Sequence, residues 1–446
     1  MPKEFLLSPT VVLRSEPQYY NAHAAFDCSS TRTEYLTEDE YRTLAYIYST
    51  PSGVDEISKS IGIKHQKCER FLNRMAKNGY VQVNPDRPIV RPPRQAKADP
   101  ALFGQFVLPF LSAPASVDIF VTSRCNLNCV HCFSSTEDST TRELSLKEVR
   151  GLLDQLEELG VFEVRINGGE PLLHPDIDEI LMTLKGKRFR KVILTNGTLL
   201  NEKKVRLLEE SGVVPTVSLD DSNEEGHDLF RGVKGSFHQT VEGLKLLQKH
   251  GTQYGVNSCL HRKNLGRHRQ IVELAAAHGA RRIAFLDLKL SGRMRKNAVW
   301  IPSCDEYHAL LPDLMLDRAS YVRKIDVALD TFLTCRPLEE AVSEARRGYV
   351  SCRAGRSRLS VDSSGAVYPC NLVLSDPKWN MGTTRTEGIS DIWFSNKWSF
   401  FRGGVKIGDL NKCRDCRNLK RCGDFYCRLV PYLANGDPFG PNPRCG

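Results

Sequence analysis

The segment CNLNCVHC, residues 125–132, sets three cysteines in one short loop. It follows VDIFV, residues 117–121, an apolar run that predicts a buried strand. In folds that alternate strands and helices, the loops after the strands carry the chemistry. Three closely spaced thiolates can hold three irons of a cubane cluster and leave the fourth iron open. A structural zinc ion takes four ligands, and His131 lies between two cysteines, where metal binding would strain the loop. The segment therefore predicts an iron–sulfur cluster at the end of a strand.

Strands and helices alternate along the chain from this segment onward. Ser145 and Glu148 form a capping box that begins the first of these helices. The predicted strands cover residues 117–121, 162–166, 192–194, 216–219, 254–259 and 282–285. Six such repeats imply a parallel sheet with helices outside it. Because a closed barrel of this kind has eight strands, we expect an α/β fold with a partial (β/α)6 barrel over residues 115–300, followed by a helical bridge at 301–350.

The spacing Cys125-x3-Cys129-x2-Cys132 resembles the signature of the radical S-adenosylmethionine (radical SAM) superfamily. The resemblance implies that a reduced 4Fe–4S cluster gives one electron to the sulfonium of bound S-adenosylmethionine. The cofactor then breaks into methionine and a 5′-deoxyadenosyl radical, which takes a hydrogen atom from an unactivated substrate position. The protein binds and orients these groups and excludes competing reactions. The resemblance also implies that His131 lies against the adenine.

Further segments resemble the same superfamily. NGGEP, residues 167–171, follows the second strand, and the resemblance implies that it binds the amino group of the methionine moiety, since glycine lets a backbone approach a ligand. The resemblance also implies that Ser218 lies near the ribose and that Arg231 pairs with the carboxylate through bidentate bonds. Taken alone, the two glycines are typical of a turn, and Arg231 could be a surface arginine. The residues predicted to bind the cofactor are His131, Gly168, Gly169, Glu170, Thr195, Asn196, Ser218, Asp220, Arg231 and Asn257.

Seven further cysteines lie among Gly, Pro and Asn between residues 352 and 446. Their spacing resembles that of the SPASM domain, which carries two auxiliary 4Fe–4S clusters; zinc ribbons are the alternative. The resemblance assigns the first auxiliary cluster to Cys352, Cys370 and Cys427, and the second to Cys413, Cys416, Cys422 and Cys445. Four residues separate Cys422 from Cys427, where three are usual. No cysteine lies between residues 352 and 370, so the first auxiliary cluster either has an open iron, which could bind a substrate thiolate, or takes an upstream ligand such as Cys335. We expect ordinary thiols at Cys28, Cys68, Cys259 and Cys304.

Residues 1–84 predict a small winged-helix domain. Thr37 and Glu40 form a capping box at its first helix, and helices at 54–61 and 65–78 follow. The third helix carries basic residues, which are typical of DNA binding, but no residues suited to base edges accompany them. The domain instead resembles a PqqD-like recognition element, which implies that a leader peptide binds as an added strand beside the third helix. Residues 85–114, rich in Pro and Arg, predict a linker.

The composition, with 41% apolar residues, is typical of a globular protein. No run approaches the roughly 20 apolar residues of a membrane span, and the N-terminus shows no secretory signal. We therefore expect a cytoplasmic protein without a membrane partner, whose 15 cysteines serve metal or catalysis before disulfides. The formal charge of +9 treats every cysteine as neutral, so it does not indicate nucleic-acid binding.

Together, the three parts resemble peptide-modifying radical SAM enzymes, and among these the sactipeptide and ranthipeptide synthases. The resemblance implies three 4Fe–4S clusters, S-adenosylmethionine, a precursor peptide with a leader, and an electron donor such as flavodoxin or ferredoxin. The predicted activity is a thioether crosslink between a cysteine sulfur and a carbon of the precursor. The alternatives are carbon–carbon or carbon–oxygen crosslinking, epimerisation, maturation of a protein such as a sulfatase, and an iron–sulfur transcription regulator.

Overall fold

The computed structural model describes residues 3–8, 10–16, 23–27, 30, 32–48, 50–85, 106–133, 143–329, 347–350, 352–417 and 427–443. Residues 3–85 form an N-terminal domain of short strands and three helices. The strands are β1 (Glu4–Leu7), β2 (Val11–Ser15), β3 (His23–Asp27), β4 (Arg32–Leu36), β5 (Ser52–Gly53) and β6 (Val81–Val83), and the helices are α1 (Glu38–Tyr46), α2 (Val54–Ile61) and α3 (His65–Lys77).

Two antiparallel sheets, ordered β5-β1-β6 and β2-β3-β4, hold this domain together with its helices. The predicted capping box is confirmed, because the Thr37 hydroxyl accepts from the backbone N–H of Glu40 and the Glu40 carboxylate accepts from that of Thr37. The two later helices also lie where the sequence predicts them. Strands β1 and β4 were not predicted. The pairing partners of β1, which are β5 and β6, are distant in the sequence, and β4 has only two apolar residues, Tyr35 and Leu36.

A ten-stranded sheet forms the core of the remaining chain, in the order β13-β12-β11-β10-β9-β8-β7-β14-β15-β16. Its strands are β7 (Ser116–Phe120), β8 (Glu163–Asn167), β9 (Arg190–Thr195), β10 (Val214–Ser218), β11 (Gly255–Leu260), β12 (Arg282–Asp287), β13 (Asp326–Leu329), β14 (Arg358–Val361), β15 (Ala366–Tyr368) and β16 (Gly382–Thr383). The helices of this region are α4 (Leu146–Glu158), α5 (Ile177–Leu184), α6 (Glu202–Ser211), α7 (Glu224–Arg231), α8 (Ser236–His250), α9 (His268–Ala277) and α10 (Cys304–Tyr321). No helix of the described residues is long and apolar enough to cross a membrane.

The six predicted parallel strands are present as β7 to β12, which confirms the partial barrel. The sheet also extends beyond them on both sides. Strand β13, within the segment expected to be only helical, pairs in parallel with β12, and β14 of the C-terminal domain pairs in parallel with β7. Both additions cover backbone N–H and C=O groups that would otherwise lie at an open edge. Sequence periodicity did not predict them because each has only four residues.

The C-terminal domain adds α11 (Ile389–Phe394) and α12 (Leu429–Asn435) to strands β14 to β16. Part of the segment expected to be a linker is buried in this domain. Phe110 is 1% exposed, and its neighbour Leu111 accepts a hydrogen bond from the indole of Trp393 at 2.8 Å. The guanidinium of Arg402 lies 3.6 Å from the Phe110 ring centre. Residues 106–114 therefore join the C-terminal domain to β7.

The N-terminal domain rests on the amino ends of the parallel strands. The guanidinium of Arg14 donates to the carbonyl oxygen of Ala113, three residues before β7, at 2.6 Å. Phe26 stacks on Phe162, the residue before β8, with ring centres 4.7 Å apart. The domain thus lies at the end of the sheet opposite to the loops that carry the first three cysteines.

Candidate active site

One cavity of about 1350 Å³ runs along the inside of the partial barrel. At the carboxyl ends of the strands its wall includes the first cysteine group, Cys125, Cys129 and Cys132. Cys352, Cys370 and Cys427 from the C-terminal domain also line the cavity, and Cys352 before β14 and Cys370 after β15 lie toward the amino end of β7. The structure therefore brings together two cysteine groups that are more than 200 residues apart in the sequence.

The loop of the first cysteine group is held by backbone hydrogen bonds to two other loops. The backbone N–H of Asn128 donates to the carbonyl oxygen of Arg231 at 3.1 Å, and that of Val130 donates to Phe230 at 2.9 Å. On the other side, the N–H of Arg293 donates to the carbonyl oxygen of Cys132 at 2.9 Å. These bonds fix the loop from both sides before any metal binds.

Glycines allow this close approach. A Cβ atom at Gly169 would lie 2.5 Å from the carbonyl oxygen of Arg124, and one at Gly292 would lie 2.3 Å from that of Cys132. Gly292 also has a φ of 50°, which favours glycine. Gly169 was predicted from its motif, whereas Gly292 belongs to no recognisable motif, and only its contact shows its role.

Burial favours the protonated thiols of Cys125 and Cys129 in the absence of metal. It raises the pKa of Cys125 to about 11. It also raises the pKa of Cys129, although the guanidinium of Arg231 acts in the opposite direction. Metal ligation requires thiolates, so cluster assembly here releases protons. Within the described ranges, no three His, Cys, Asp or Glu side chains are close enough to hold a single metal ion.

Glu170 lies behind the cavity wall and is fully buried. Its carboxylate accepts hydrogen bonds from the backbone N–H of Asn196 at 2.8 Å and from the hydroxyl of Thr195 at 2.7 Å. It also accepts from the N–H of Leu172 at 3.2 Å. Burial raises the pKa of Glu170 to about 7. The side chain therefore ties the loop after β8 to the loop after β9 and positions Gly168 and Gly169, which line the cavity.

Asp220 and Arg231 form a buried ion pair beside the first cysteine group. Their Oδ2 and Nη2 atoms are 2.5 Å apart, and Nη1 of Arg231 lies 3.7 Å from the sulfur of Cys129. Burial raises the pKa of Asp220, while Arg231 opposes this effect. The Nε atom of Arg231 is buried and has no hydrogen-bond partner among the described residues. This donor is available for the carboxylate of the predicted cofactor.

His131 lines the cavity as part of a stack of rings. Its imidazole lies parallel to the ring of Phe230, with centres 4.4 Å apart and an angle of 4°, and Phe230 stacks in turn on His261 at 4.2 Å. Burial lowers the pKa of His131 well below its usual value, so the ring is neutral. A flat neutral ring with a fixed orientation fits the predicted contact with adenine. Sequence reasoning missed Phe230 and His261, whose positions follow only from the fold.

The other predicted cofactor residues lie along the same cavity. Ser218, the last residue of β10, is paired in register with Asn257 in the middle of β11, and both line the cavity, as do Thr195 and Asn196. Cys259, expected to be an ordinary thiol, also lines the cavity. Cys68 lies in the core of the N-terminal domain, and Cys304 is the first residue of α10.

The thiols predicted for the first auxiliary cluster are close enough to influence one another. Burial raises the pKa of Cys370, and the thiols of Cys427 and Cys352 raise it further. Burial together with Cys352 raises the pKa of Cys427 to about 11. Such mutual effects require short distances, which fits a shared cluster. Cys335, the predicted upstream ligand, lies outside the described residues.

The second predicted auxiliary group is only partly described. Cys413 and Cys416 form one turn, in which the N–H of Cys416 donates to the carbonyl oxygen of Cys413 at 3.1 Å. Cys422, Cys445 and the separate thiol of Cys28 lie outside the described residues.

Comparisons with known proteins agree with this geometry. Residues 119–275 match the Radical SAM superfamily. An AdoMet-dependent heme synthase of Methanosarcina barkeri is 30% identical over 360 residues, which cover 76% of this chain and 98% of that protein. The chain belongs to the radical SAM superfamily. Residues 352–417 also match the iron-sulfur cluster-binding domain named SPASM.

Two further relatives indicate the range of this superfamily. The mycofactocin maturase MftC of Mycolicibacterium smegmatis is 30% identical over 345 residues, which cover 75% of this chain and 83% of that protein. SuiB of Streptococcus suis, solved with its precursor peptide SuiA, has a similar fold with a TM-score of 0.73 and 17% identity, over 99% of both chains. The likeness to SuiB includes the N-terminal domain because it covers nearly the whole chain.

This radical SAM enzyme binds a 4Fe–4S cluster and S-adenosylmethionine, and its SPASM domain binds additional iron–sulfur clusters. When bound, the first cluster supplies the electron that breaks S-adenosylmethionine into methionine and the 5′-deoxyadenosyl radical. The residues present fit these groups. The loop of Cys125, Cys129 and Cys132 would hold the cluster, Arg231 would orient the methionine carboxylate, and His131 would support the adenine.

Proposed function

We propose that this radical SAM enzyme matures a ribosomally made peptide by joining a cysteine sulfur of the precursor to a carbon of another residue. The observation that carries this proposal is the shared cavity, because both cysteine groups line it. The first cysteine group serves the removal of a hydrogen atom, and the first auxiliary group would hold a substrate thiol. Because both groups line one cavity, the hydrogen atom and the thiol can belong to the same bound substrate. The cavity of about 1350 Å³ also exceeds the range of about 300–1,000 Å³ usual for small-molecule sites, which favours a peptide segment.

The proposal assigns three iron–sulfur clusters to the cysteines. Cys125, Cys129 and Cys132 hold the cluster that serves S-adenosylmethionine. Cys352, Cys370 and Cys427 hold the first auxiliary cluster, whose fourth iron is either open to the substrate thiolate or bound by Cys335. The second auxiliary cluster is assigned to Cys413, Cys416, Cys422 and Cys445. A small electron-transfer protein such as flavodoxin or ferredoxin would reduce the first of these clusters.

The N-terminal domain supports a peptide substrate with a leader. Strand β4 lies at the edge of its sheet, and its residue Tyr35 is 78% exposed. An edge strand of this kind can take on a further strand. Arg74 of α3 pairs with Glu34 of β4 at 3.6 Å, so a strand added to β4 would lie close to α3. A groove of about 280 Å³ between α1 and α3 includes Asp39, Glu40, Lys67, Arg70 and Arg74. Lys67 pairs with Asp39 at 2.7 Å and Arg74 with Glu40 at 2.9 Å, so among the described residues Arg70 is the groove cation that remains for an acidic residue of the leader.

A haem precursor is the second candidate substrate, since a curated relative is named as a heme synthase. That relative is matched over 98% of its length, yet about a quarter of this chain has no counterpart in the match. SuiB, whose structure was solved with a precursor peptide, is matched over 99% of both chains. The additional part of this chain therefore favours the peptide.

Mass spectrometry of a co-expressed precursor peptide tests the proposal. Loss of two hydrogens for each crosslink, together with protection of that cysteine from alkylation, is the expected result. Loss of two hydrogens with the cysteine still open to alkylation would instead indicate a carbon–carbon or carbon–oxygen crosslink. An unchanged mass with deuterium incorporation from D2O would indicate epimerisation. Consumption of an added haem precursor with no change in the peptide would refute the peptide reading.

Binding of a labelled leader peptide tests the recognition site separately. Reversing the charge at Arg70 with Arg70→Glu should weaken binding at least about tenfold, the effect of losing roughly 1.4 kcal/mol. Arg323→Glu, a change at an exposed residue after α10, provides the matched control and should bind as the unchanged enzyme does. Equal loss in both variants would indicate non-specific charge attraction instead of a leader site.

A further inference from the structure

A row of charged side chains crosses the sheet and ends at a cysteine of the first auxiliary group. The strands β8, β7, β14 and β15 are neighbours in that order. Arg165 lies in β8, Asp118 in β7 and Arg358 in β14, and Cys370 follows the end of β15 by two residues. All four side chains line the cavity. Positive and negative groups therefore alternate along the row up to a predicted ligand of the first auxiliary cluster.

The register of the strands places these side chains next to one another. Asp118 and Arg165 are paired in register between β7 and β8. The antiparallel register of β14 and β15, continued by two residues, places Arg358 opposite Cys370. Cys370 has the extended backbone that this continuation requires, with a φ of −163° and a ψ of 173°. Because directly opposite residues have Cβ atoms about 4.5–5.5 Å apart, the guanidinium of Arg358 and the thiol of Cys370 are neighbours.

The carboxylates near Arg358 do not neutralise its charge. Asp118 accepts hydrogen bonds from Arg165 at 3.1 Å and from Arg358 at 3.2 Å. Arg165 also pairs with Glu163 at 3.5 Å, but the carboxylate of Glu163 pairs with Arg190 at 2.6 Å as well. Three guanidinium groups thus share two carboxylates, which leaves one positive charge among these described side chains.

Arg358 interacts with two thiols of the first auxiliary group. Its backbone N–H donates to the carbonyl oxygen of Arg353, the residue after Cys352, at 3.2 Å. Burial lowers the pKa of Arg358, but the charge of Asp118 and then that of the ionised Cys370 thiol outweigh burial, so the pKa is raised. Burial raises the pKa of Cys370, and Arg358 acts in the opposite direction. The Nε atom of Arg358 is buried and has no hydrogen-bond partner among the described residues.

Positive charge beside an iron–sulfur cluster makes the cluster easier to reduce. Reduction adds one negative charge to the cluster, and a neighbouring guanidinium stabilises that charge. The net charge around a cluster and the hydrogen bonds to its sulfurs both set its reduction potential. Opposite charges within about 6 Å interact, at an effective dielectric constant of about 20, by more than the free energy of a tenfold ratio. Arg358 can supply both the charge and, through Nε, a hydrogen-bond donor.

We propose that Arg358 raises the reduction potential of the first auxiliary cluster, which makes this cluster an acceptor for the electron that crosslinking releases. The inference rests on the proposed function. The 5′-deoxyadenosyl radical takes a hydrogen atom from a substrate C–H and becomes 5′-deoxyadenosine. The substrate radical then bonds to the sulfur of a substrate S–H, the proton of that thiol passes to water, and the remaining electron reduces the oxidised cluster. Arg358 touches no reacting atom and acts only through the cluster.

A potentiometric titration of the reconstituted full-length enzyme, followed by electron paramagnetic resonance, tests the inference. Cys370→Ala identifies the signal of the first auxiliary cluster, because that signal should be lost in this variant. Arg358→Gln should lower the ratio of reduced to oxidised cluster at least about tenfold at a fixed potential, which is a shift of at least about 59 mV for a one-electron couple. Arg358→Lys keeps the charge and should retain a potential close to that of the unchanged enzyme.

Two further variants separate an effect of charge from structural damage. Asp118→Asn removes the negative charge beside Arg358 and should raise the potential, a shift of opposite sign that damage to the site would not produce. This variant also decides the question if Arg358→Gln does not take up iron, since an unchanged potential in Asp118→Asn would overturn the inference. Arg385→Gln is the matched control. Arg385 donates to the carbonyl oxygen of Ser364 at 2.7 Å, in the turn between β14 and β15 and thus at the other end of the hairpin from Cys370. Its replacement should leave the potential unchanged, because salt screens charges that are more than about 8 Å apart.

The outcomes separate this inference from the proposed function. If Cys370→Ala keeps the iron content and the spectrum of the unchanged enzyme, the assignment of the first auxiliary cluster and the inference both fail. If the cluster is present and Arg358→Gln has an unchanged potential, only the inference fails. If Arg358→Gln lowers the potential but the unchanged enzyme crosslinks no cysteine of the precursor, the proposed function fails and the effect of Arg358 on the cluster stands.

Discussion

An alanine at position 232 is expected to displace the loop that holds the first cluster. Gly232 has a φ of 72°, a conformation that costs a non-glycine residue about 1–2 kcal/mol. A Cβ atom there would lie 2.2 Å from the carbonyl oxygen of Asn128, whereas such contacts stay above 3.0 Å. The loop must therefore move by about 0.8 Å. Because a misplacement of about 1 Å in an active site can cost about 10²-fold in rate, we expect 5′-deoxyadenosine formation to fall by about that factor.

Gly235→Ala supplies the matched control for this change. Gly235 has a φ of 83°, so the backbone cost is similar, but an added Cβ atom would meet nothing within 4 Å. Both variants are reconstituted without oxygen, and iron content, thermal unfolding and 5′-deoxyadenosine formation are measured. We expect the unfolding temperature to fall by a similar amount in both variants. Only Gly232→Ala should lose activity. Equal rates in the two variants would refute the argument that contact with Asn128 positions the loop.

Three other changes test the buried residues around the cavity. Burial raises the pKa of Glu170 to about 7 from 4.5, so the stability it contributes is present below pH 4.5 and is lost as the pH rises toward 7. Relative to Glu170→Gln, the unchanged protein should lose roughly 3 kcal/mol of unfolding free energy across this range. An unfolding free energy that changes equally with pH in both proteins between pH 5 and 8 would contradict this. His131→Ala removes a ring contact worth about 0.5–1.5 kcal/mol and should weaken S-adenosylmethionine binding up to tenfold in calorimetry, whereas His131→Phe should bind normally. Arg402 donates to the carbonyl oxygens of Gly355 and Trp393, both at 2.7 Å. Arg402→Met should therefore lower the free energy of unfolding, measured by denaturant titration, by about 2–5 kcal/mol. An unchanged free energy of unfolding would show that these carbonyls find other donors.

Local sequence signals predicted the parts of the fold that rest on local physics. The capping boxes at Thr37 and Ser145 are present, because a side chain three residues from a helix start determines them. The three cysteines after β7 and the glycines after β8 were recognised from their spacing. In each case the chemistry depends on residues that are adjacent in the chain, so the pattern alone carries the information.

What the sequence did not predict depends on pairing between distant segments. Strand β14 joins β7 although about 240 residues separate them, and this pairing brings the C-terminal domain against the barrel. The stack of Phe230 on His131 likewise joins the end of α7 to the cluster loop. Neither residue type nor spacing marks such contacts, because ordinary apolar and aromatic residues make them. The shared cavity of the two cysteine groups follows from these long-range pairings.

The position of the N-terminal domain places a physical requirement on any peptide that uses both sites. The domain rests against residues that precede β7 and β8, while Cys125, Cys129 and Cys132 lie in the loop after the carboxyl end of β7. Strand β9, with six residues, spans roughly 20 Å at about 3.3 Å per residue. A precursor held by its leader at β4 would have to cross at least this height before a residue reaches the loop of Cys125, Cys129 and Cys132. Because an extended chain covers at most about 3.3–3.6 Å per residue, a spacer of at least about six residues has to separate the bound leader from the modified position. If the leader binds at β4 as proposed, the fold would select substrates by the distance between recognition sequence and reacting residue as well as by the chemistry of the cavity.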